Sequence, residues 1–144
     1  MLKILISKDD YKKLEDLINE YEKRTSLPIK TRGYISFLKE KLNKAQIIEA
    51  GDIKLIDLVT MNSSVRFKNL SIGEEKEYLF VHPKLEWKNL GRLAILSDLG
   101  VALLGHKKWE VVKMKKADGL NYEVRILDVQ STSQEWIEGL EEQC

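Results

Sequence analysis

Residues 59–83, VTMNSSVRFKNLSIGEEKEYLFVHP, decide the fold, because within this stretch the apolar side chains begin to recur at every second residue. Apolar Val65 and Phe67 alternate with cationic side chains, which is typical of a strand with one buried face. Gly73 then predicts a turn, and residues 77–81 predict a second strand. Alternation on both sides of a short turn predicts an antiparallel sheet from this point onward.

Three further strands follow, in the segments GRLAILS (91–97), WEVVKM (109–114) and YEVRILDV (122–129). The Asp118-Gly119 pair between the last two is a hairpin turn signal. The segment SDLGVALLGHK between the first two predicts a short helix, with Ser97 as its N-cap and Gly105 as its C-cap. Together these patterns predict an α+β fold, an antiparallel β-sheet domain with one short helix.

The first third of the chain instead has the period of helices. A first helix begins after the N-cap Ser7, and Asp10 completes an acidic capping box. Pro28 ends that helix, and a second one runs from Thr31 or Gly33 to Gln46. The apolar stripes are Tyr11, Leu14, Leu17, Ile18 and Tyr21 in the first helix, and Ile35, Leu38, Leu42 and Ala45 in the second. Two narrow stripes joined by a short link predict an antiparallel helical hairpin, a short coiled coil whose stripes bury against each other.

This change of period divides the chain into a hairpin arm over residues 1–50 and a sheet domain over residues 51–144. The tail STSQEWIEGLEEQC, residues 131–144, predicts a last amphipathic helix with an acidic end. Its apolar positions are Trp136, Ile137 and Leu140.

The composition is that of an ordinary globular protein. The 144 residues are 43% hydrophobic, and 24 Lys and Arg nearly balance 23 Asp and Glu, so the strongly basic field of a dedicated nucleic-acid binder is absent. Cys144 is the only cysteine, which favours a reducing compartment. The apolar run at the N-terminus is too short for a signal peptide, and no apolar stretch approaches the roughly 20 residues that span a bilayer. We expect a cytoplasmic protein without membrane contact.

The sequence contains no recognisable catalytic pattern. His82 and His106 have no metal-ligand spacing and are interpreted as ordinary loop histidines. The glycines do not form a phosphate-binding loop. Ser97 lacks the flanking glycines of a nucleophile elbow and is better explained as a helix cap. We therefore expect no enzyme activity, no metal and no cofactor.

Three motifs in order resemble the C-terminal domain of the bacterial Gre transcript-cleavage factors: the entry strand VTMNSSVRF, the hairpin LSIGEEKEYLFVHP and the helix LGVALLG. The match covers roughly residues 55–130, and within the Gre superfamily the chain is similar to the Rnk-like regulators of nucleoside diphosphate kinase. The resemblance implies an N-terminal helical arm followed by a domain like the FK506-binding proteins. It also implies docking on bacterial RNA polymerase at the rim of the secondary channel, with the arm pointing into the channel.

On this resemblance, Ser97, Asp98 and Leu99 are the candidate polymerase-docking residues. The resemblance implies contact with nucleic acid only indirectly, within the elongation complex. Gre-like sequences commonly have Pro where this chain has Asp98, and a Gly-Asp turn where it has Trp109-Glu110. Two interpretations of Trp109 remain open: a core position or an exposed partner contact.

The predicted arm tip, KRTSLPIKTRG at residues 23–33, is basic and has no acid. The resemblance implies a contrast with cleavage-competent Gre factors, in which acidic residues at the arm tip help to hold a catalytic Mg²⁺ in the polymerase active site. Mg²⁺ prefers carboxylate ligands. Arg24, Lys30 and Arg32 would repel the metal, and a first helix of about 16–18 residues spans only roughly 24–27 Å. We therefore expect polymerase binding without transcript cleavage. The cations touch polymerase acids or nucleic-acid phosphates, or they only keep the turn soluble.

Two alternative functions stay open. The first is a peptidyl-prolyl isomerase, suggested by fold analogy alone. Its candidate aromatic residues are Phe67, Tyr78, Phe80, Trp87, Trp109 and Tyr122. The second is regulation of another protein, such as nucleoside diphosphate kinase.

Overall fold

The computed structural model describes residues 3–115, 121–132, 137 and 139 of the chain. The helices and strands of the first third are β1 (Leu5–Ser7), α1 (Lys8–Glu22), α2 (Ile29–Lys44) and β2 (Gln46–Ile48). Those that follow are β3 (Ser63–Asn69), β4 (Glu74–Val81), β5 (Arg92–Ala94), α3 (Asp98–Leu103), β6 (Val111–Lys115) and β7 (Asn121–Ser131). Two long helices, a sheet and one short helix confirm the predicted α+β class.

The main sheet has five strands in the order β5-β4-β3-β7-β6. The pairs β4-β3, β3-β7 and β7-β6 are antiparallel as predicted. The pair β5-β4 is parallel, with Leu79 opposite Arg92. The 3-10 turns Pro83–Leu85 and Lys88–Leu90 carry the chain back along the sheet before β5 begins, so the two strands run in the same direction. The sheet is therefore mixed, which corrects the prediction of a wholly antiparallel one.

Some of the predicted features fall on residues outside the described ranges. These are the Asp118-Gly119 turn and all but two residues of the tail beyond residue 132, including Trp136 and Leu140. Ile137 is described, and it is buried in a small cluster with Leu79, Val81 and Leu85.

A second, two-stranded sheet was not predicted. β1 pairs in parallel with β2, so the strand before the hairpin and the strand after it lie side by side. Segments of three residues are too short to show a period, so spacing could not predict either strand. Gly105 packs against this pair: its φ is 86°, and a Cβ there would lie 2.7 Å from the Ile4 Cγ2 atom. The Leu5 N–H donates to the Gly105 carbonyl at 3.1 Å.

The two long helices form as predicted, with small shifts at their ends. The Ser7 hydroxyl accepts a hydrogen bond from the Asp10 N–H at 3.0 Å, which confirms the N-cap of α1. α2 begins at Ile29, earlier than predicted, and ends at Lys44 rather than Gln46. Most of the apolar stripe residues of both helices are buried in one cluster with the sheet, which includes Phe80 and Ile126, and the partly buried Tyr11 and Ala45 pack against it.

The helices lie against the sheet domain. Near the start of α1, the Asp10 carboxylate accepts a hydrogen bond from the Met61 N–H at 2.9 Å. Near its end, Glu20 lies 3.5 Å from the His82 Nε2 atom. These two contacts hold α1 against the sheet domain near both of its ends. The stripes bury against the sheet as well as each other, because the sheet offers a much larger apolar face.

Candidate docking surface at the start of the short helix

The first turn of α3 is fixed tightly to the end of β5. The Ser97 hydroxyl accepts from the Gly100 N–H at 3.1 Å and donates to the Ala94 carbonyl at 2.7 Å. Only glycine fits at position 100, because a Cβ there would lie 2.3 Å from the Ile95 carbonyl oxygen. The predicted capping role of Ser97 is confirmed. This anchoring gives the next two residues a defined position on the surface.

Asp98 is exposed at the start of α3 and lies beside two tyrosines from other elements. Tyr34 of α2 is one of them: burial, followed by a hydrogen bond with Asp98, raises its pKa to about 12. Tyr122 of β7 is the other, and burial together with the Asp98 charge raises its pKa. Both phenols therefore stay neutral at ordinary pH. Sequence reasoning missed Tyr34, because nothing in the sequence places α2 against α3.

Leu99, half-buried, lines a groove of about 150 Å³ between α3 and the sheet. Two aromatic rings, Phe67 and Tyr78, stack in its wall with centroids 6.1 Å apart. Glu74 and Lys76 also line it, so the groove has an apolar floor and a charged rim. We call Tyr34, Phe67, Tyr78, Asp98, Leu99 and Tyr122 the α3 surface. An apolar centre bordered by charges suits contact with another protein.

The three predicted tip residues have different surroundings. The Arg24 guanidinium lies 4.0 Å from the centroid of the Tyr21 ring and 3.8 Å from Glu20. Arg32 is exposed beside a cavity that Leu27 also lines. Lys30 is exposed at the start of α2. Arg24 thus contacts two side chains of the last turn of α1, whereas the other two cations are exposed at the surface.

A buried cluster of charged groups joins α2 to α3, and sequence reasoning missed it. The Lys41 ammonium donates to the carbonyls of Val101 and Ala102 at 2.7 and 2.9 Å and to that of Leu104. Burial lowers the pKa of Lys41 to about 7, although the charge of Glu110 acts in the opposite direction. Lys41 follows Leu38 by three residues, on the apolar stripe, which was the one available signal.

His106 belongs to the same cluster: it lies in the loop after α3, as predicted, but it is buried there. Its Nδ1 atom lies 2.8 Å from Glu110, which also accepts from the Lys107 N–H at 3.0 Å. Burial and then the nearby Lys41 charge lower the pKa of His106, against the effect of Glu110. The imidazole is therefore a structural link between α3 and the start of β6.

Trp109 is exposed, with 62% of its surface accessible, so the core interpretation is wrong. Trp87 is also exposed, whereas Phe80 is fully buried. Only Phe67, Tyr78 and Tyr122 of the six candidate aromatic residues line the groove. The six do not converge on one proline-binding pocket.

Within the described ranges, no group of three or more His, Cys, Asp or Glu side chains is placed to hold a metal ion. None of the helices in the described part of the chain is both long and apolar enough to cross a membrane.

The family model for the GreA/GreB transcription elongation factor C-terminal domain matches residues 54–131. The chain therefore belongs to the GreA/GreB family, which consists of elongation factors and regulators rather than classical enzymes. This confirms the resemblance.

Named relatives agree with that assignment. The chain is 28% identical over 115 residues to the regulator of nucleoside diphosphate kinase of Escherichia coli K12, covering 80% of each chain. It is 33% identical over 106 residues to transcription elongation factor GreA of Chloroherpeton thalassium, covering 73% of this chain and 66% of the relative. A solved GreA/GreB structure from Nitrosomonas europaea is 32% identical and superimposes with a TM-score of 0.67, covering 90% of this chain and 99% of that one.

Proposed function

We propose that this protein is a regulator of transcription that binds bacterial RNA polymerase through the α3 surface, at the rim of the secondary channel. The observation that carries the proposal is the combination of GreA/GreB family membership over residues 54–131 with an anchored, exposed first turn of α3. An apolar groove next to Asp98 offers both burial and charge to a protein partner. Contact with nucleic acid follows only from the position within the elongation complex.

Binding does not lead to transcript cleavage in this proposal. The connection between α1 and α2, residues 23–28, contains Lys23 and Arg24 and no carboxylate, so it offers no oxygen ligand from a charged side chain to Mg²⁺. The hairpin lies against the domain, so the connection extends little beyond it. A protein of this shape acts by occupying the rim, and we expect it to compete with Gre factors there.

The docking test is co-purification of bacterial RNA polymerase with the tagged full-length chain. Leu99→Arg and Asp98→Lys should each weaken polymerase binding at least tenfold, because they place a cation in the groove or reverse its neighbouring charge. Glu49→Lys is the matched control: it makes the same charge reversal at an exposed position paired only with Lys8 among the described residues. Retained binding by both α3 variants would reject this docking site.

The cleavage test uses backtracked elongation complexes with a cleavage-competent GreA as the positive control. We expect no added cleavage from this protein and a slower GreA reaction when both are present. Cleavage stimulated by this protein alone would contradict the proposal. The double variant Lys30→Glu, Arg32→Glu tests the basic tip: unchanged polymerase affinity would mean that these cations only keep the turn soluble.

Regulation of nucleoside diphosphate kinase is a second candidate, supported by the name of the Escherichia coli relative at 28% identity. A pull-down that offers polymerase and the kinase to the same tagged chain separates the two. Capture of the kinase alone would favour the second candidate.

A further inference from the structure

Trp109 has a backbone conformation that a bulky side chain rarely adopts. Its φ is 76°, in the left-handed region that favours glycine. Hydrogen bonds fix the backbone there: the Trp109 N–H donates to the Ile126 carbonyl at 2.7 Å, and the Lys108 N–H donates to the Asp57 carbonyl at 3.0 Å. Asp57 is itself left-handed, with a φ of 61°. Strain held in this way concentrates at functional sites.

The indole is largely exposed, with the Lys108 ammonium 5.2 Å from the centroid of its ring, so the strained backbone does not serve the core. Because the Asp57 carbonyl accepts from the Lys108 N–H, the residues next to these two, Ile56 and Trp109, are brought near each other. Ile56 and Ile53 are 61% and 77% exposed. We call Ile53, Ile56 and Trp109 the Trp109 surface. Three large apolar side chains at one strained corner make a compact binding site of the kind in which tryptophan contributes most.

We propose that the Trp109 surface is a second contact with RNA polymerase, which buries these side chains against an apolar patch of that protein. The inference rests on the proposed function, because it takes the partner from docking at the α3 surface. The two surfaces lie close enough for one partner: Tyr122, beside Asp98, and Ile126, bonded to Trp109, are four residues apart on β7, roughly 13 Å.

The size and charge of the Trp109 surface favour RNA polymerase over a second copy of this chain and over nucleic acid. Three side chains bury roughly 400 Å² at most, less than one partner of a stable dimer contributes, so the surface cannot hold a second copy of this chain unaided. The neighbouring cations are Lys54, Lys107 and Lys108, and the neighbouring carboxylates are Asp52, Asp57 and Asp128. Because these charges balance, the surface has no attraction for a phosphate backbone.

The test is Trp109→Gly in the full-length chain, measured for both stability and affinity for RNA polymerase. Glycine relieves the left-handed strain, so we expect a higher melting temperature together with at least tenfold weaker polymerase binding. Asp57→Gly is the matched control, since it relieves strain at the same corner and keeps the indole: stability should rise and affinity should stay unchanged.

Several results would overturn the inference. Unchanged affinity of Trp109→Gly would do so while leaving the α3 surface, tested by Leu99→Arg, in place. A lower melting temperature for Trp109→Gly would remove the strain argument. Self-association of the wild-type chain that Trp109→Gly abolishes, seen by analytical ultracentrifugation, would make the occupant a second copy. Failure of the wild-type chain to bind polymerase would instead reject the proposed function itself, and this inference with it.

Discussion

Two regions of the molecule bury a cation, and they do so in opposite ways. At the junction between the hairpin and the domain, Lys41 is 8% exposed and its ammonium donates to three carbonyls at the end of α3. At the edge of the sheet, Arg92 of β5 is 5% exposed, and its Nε and Nη1 atoms have no hydrogen-bond partner. The Trp87 ring lies 5.3 Å from its Cζ atom.

The difference shows that burial alone does not decide what a charge contributes to stability. Lys41 donates to carbonyls that the end of a helix would otherwise leave unpaired, which stabilises the helix and offsets part of the cost of burying the charge. Arg92 loses hydration at Nε and Nη1, and among the described residues a cation–π contact with Trp87 offsets part of that loss. The first region should therefore be weakened by removing the cation, and the second should be strengthened.

The largest expected effect comes from Lys41→Met. The change leaves three carbonyls without their donor, and we expect a loss of about 3 kcal/mol in the free energy of unfolding, measured by urea denaturation. Lys44→Met is the control, because Lys44 is exposed and pairs only with Glu40 among the described residues. Equal stability of the two variants would remove the contrast between the regions.

Lys41→Met should also change how the free energy of unfolding depends on pH. The unfolded chain keeps the Lys41 proton up to its ordinary pKa of 10.5, whereas the folded chain releases it near pH 7. The unfolded state therefore binds more protons between these values, and this group makes stability rise with pH across that window. The difference in stability between wild type and Lys41→Met should grow from pH 7 to pH 10.

Asp10 is a buried anion, at the start of α1. Burial raises its pKa to about 6, although the Met61 N–H lowers it. The folded chain then binds more protons than the unfolded chain between about pH 4 and pH 6, so this group makes stability fall as pH rises through that range. Asp10→Asn keeps an acceptor for Met61 and should raise stability by about 2 kcal/mol at pH 7, with little effect at pH 4. Melting curves at the two pH values measure this, and equal effects at both would contradict it.

Arg92→Met tests the opposite region. Methionine has a similar length and no polar atoms to satisfy, so we expect stability to rise by about 1 kcal/mol. The control is Arg66→Met, at an exposed arginine on the same sheet that pairs with Glu75. Destabilisation by Arg92→Met in thermal denaturation would show that the cation–π contact with Trp87 outweighs the loss of hydration.

The smallest effect on stability is expected from an exposed ion pair between α1 and α2. Lys39 and Glu22 approach to 2.7 Å between α2 and α1, but both are about half exposed. Lys39→Ala should lower stability by about 0.5 kcal/mol or less, and 0.5 M NaCl should reduce the difference further. A loss as large as that of Lys41→Met would mean that the helices depend on each other more than on the domain.

These regions also show what the sequence could and could not predict. The helices, the caps at Ser7 and Ser97 and most of the strands followed from short-range spacing, which reflects local geometry. The position of the hairpin did not follow, because it depends on contacts such as Lys41 with α3, some 60 residues away along the chain. The direction of β5 and the left-handed backbone at Trp109 likewise depend on distant hydrogen bonds rather than on neighbouring residue types.

The position of β1 between two distant segments has a consequence for synthesis. Its strand partner β2 is made soon after it, but the Leu5 N–H bonds to the carbonyl of Gly105, which is made only about a hundred residues later. At ribosomal rates this delay lasts roughly 5–20 s, during which the apolar stripes of the nascent hairpin have no sheet to cover them. Chains stalled on the ribosome near residue 90 should be cut by protease within α1 and should recruit chaperones, whereas released chains should resist.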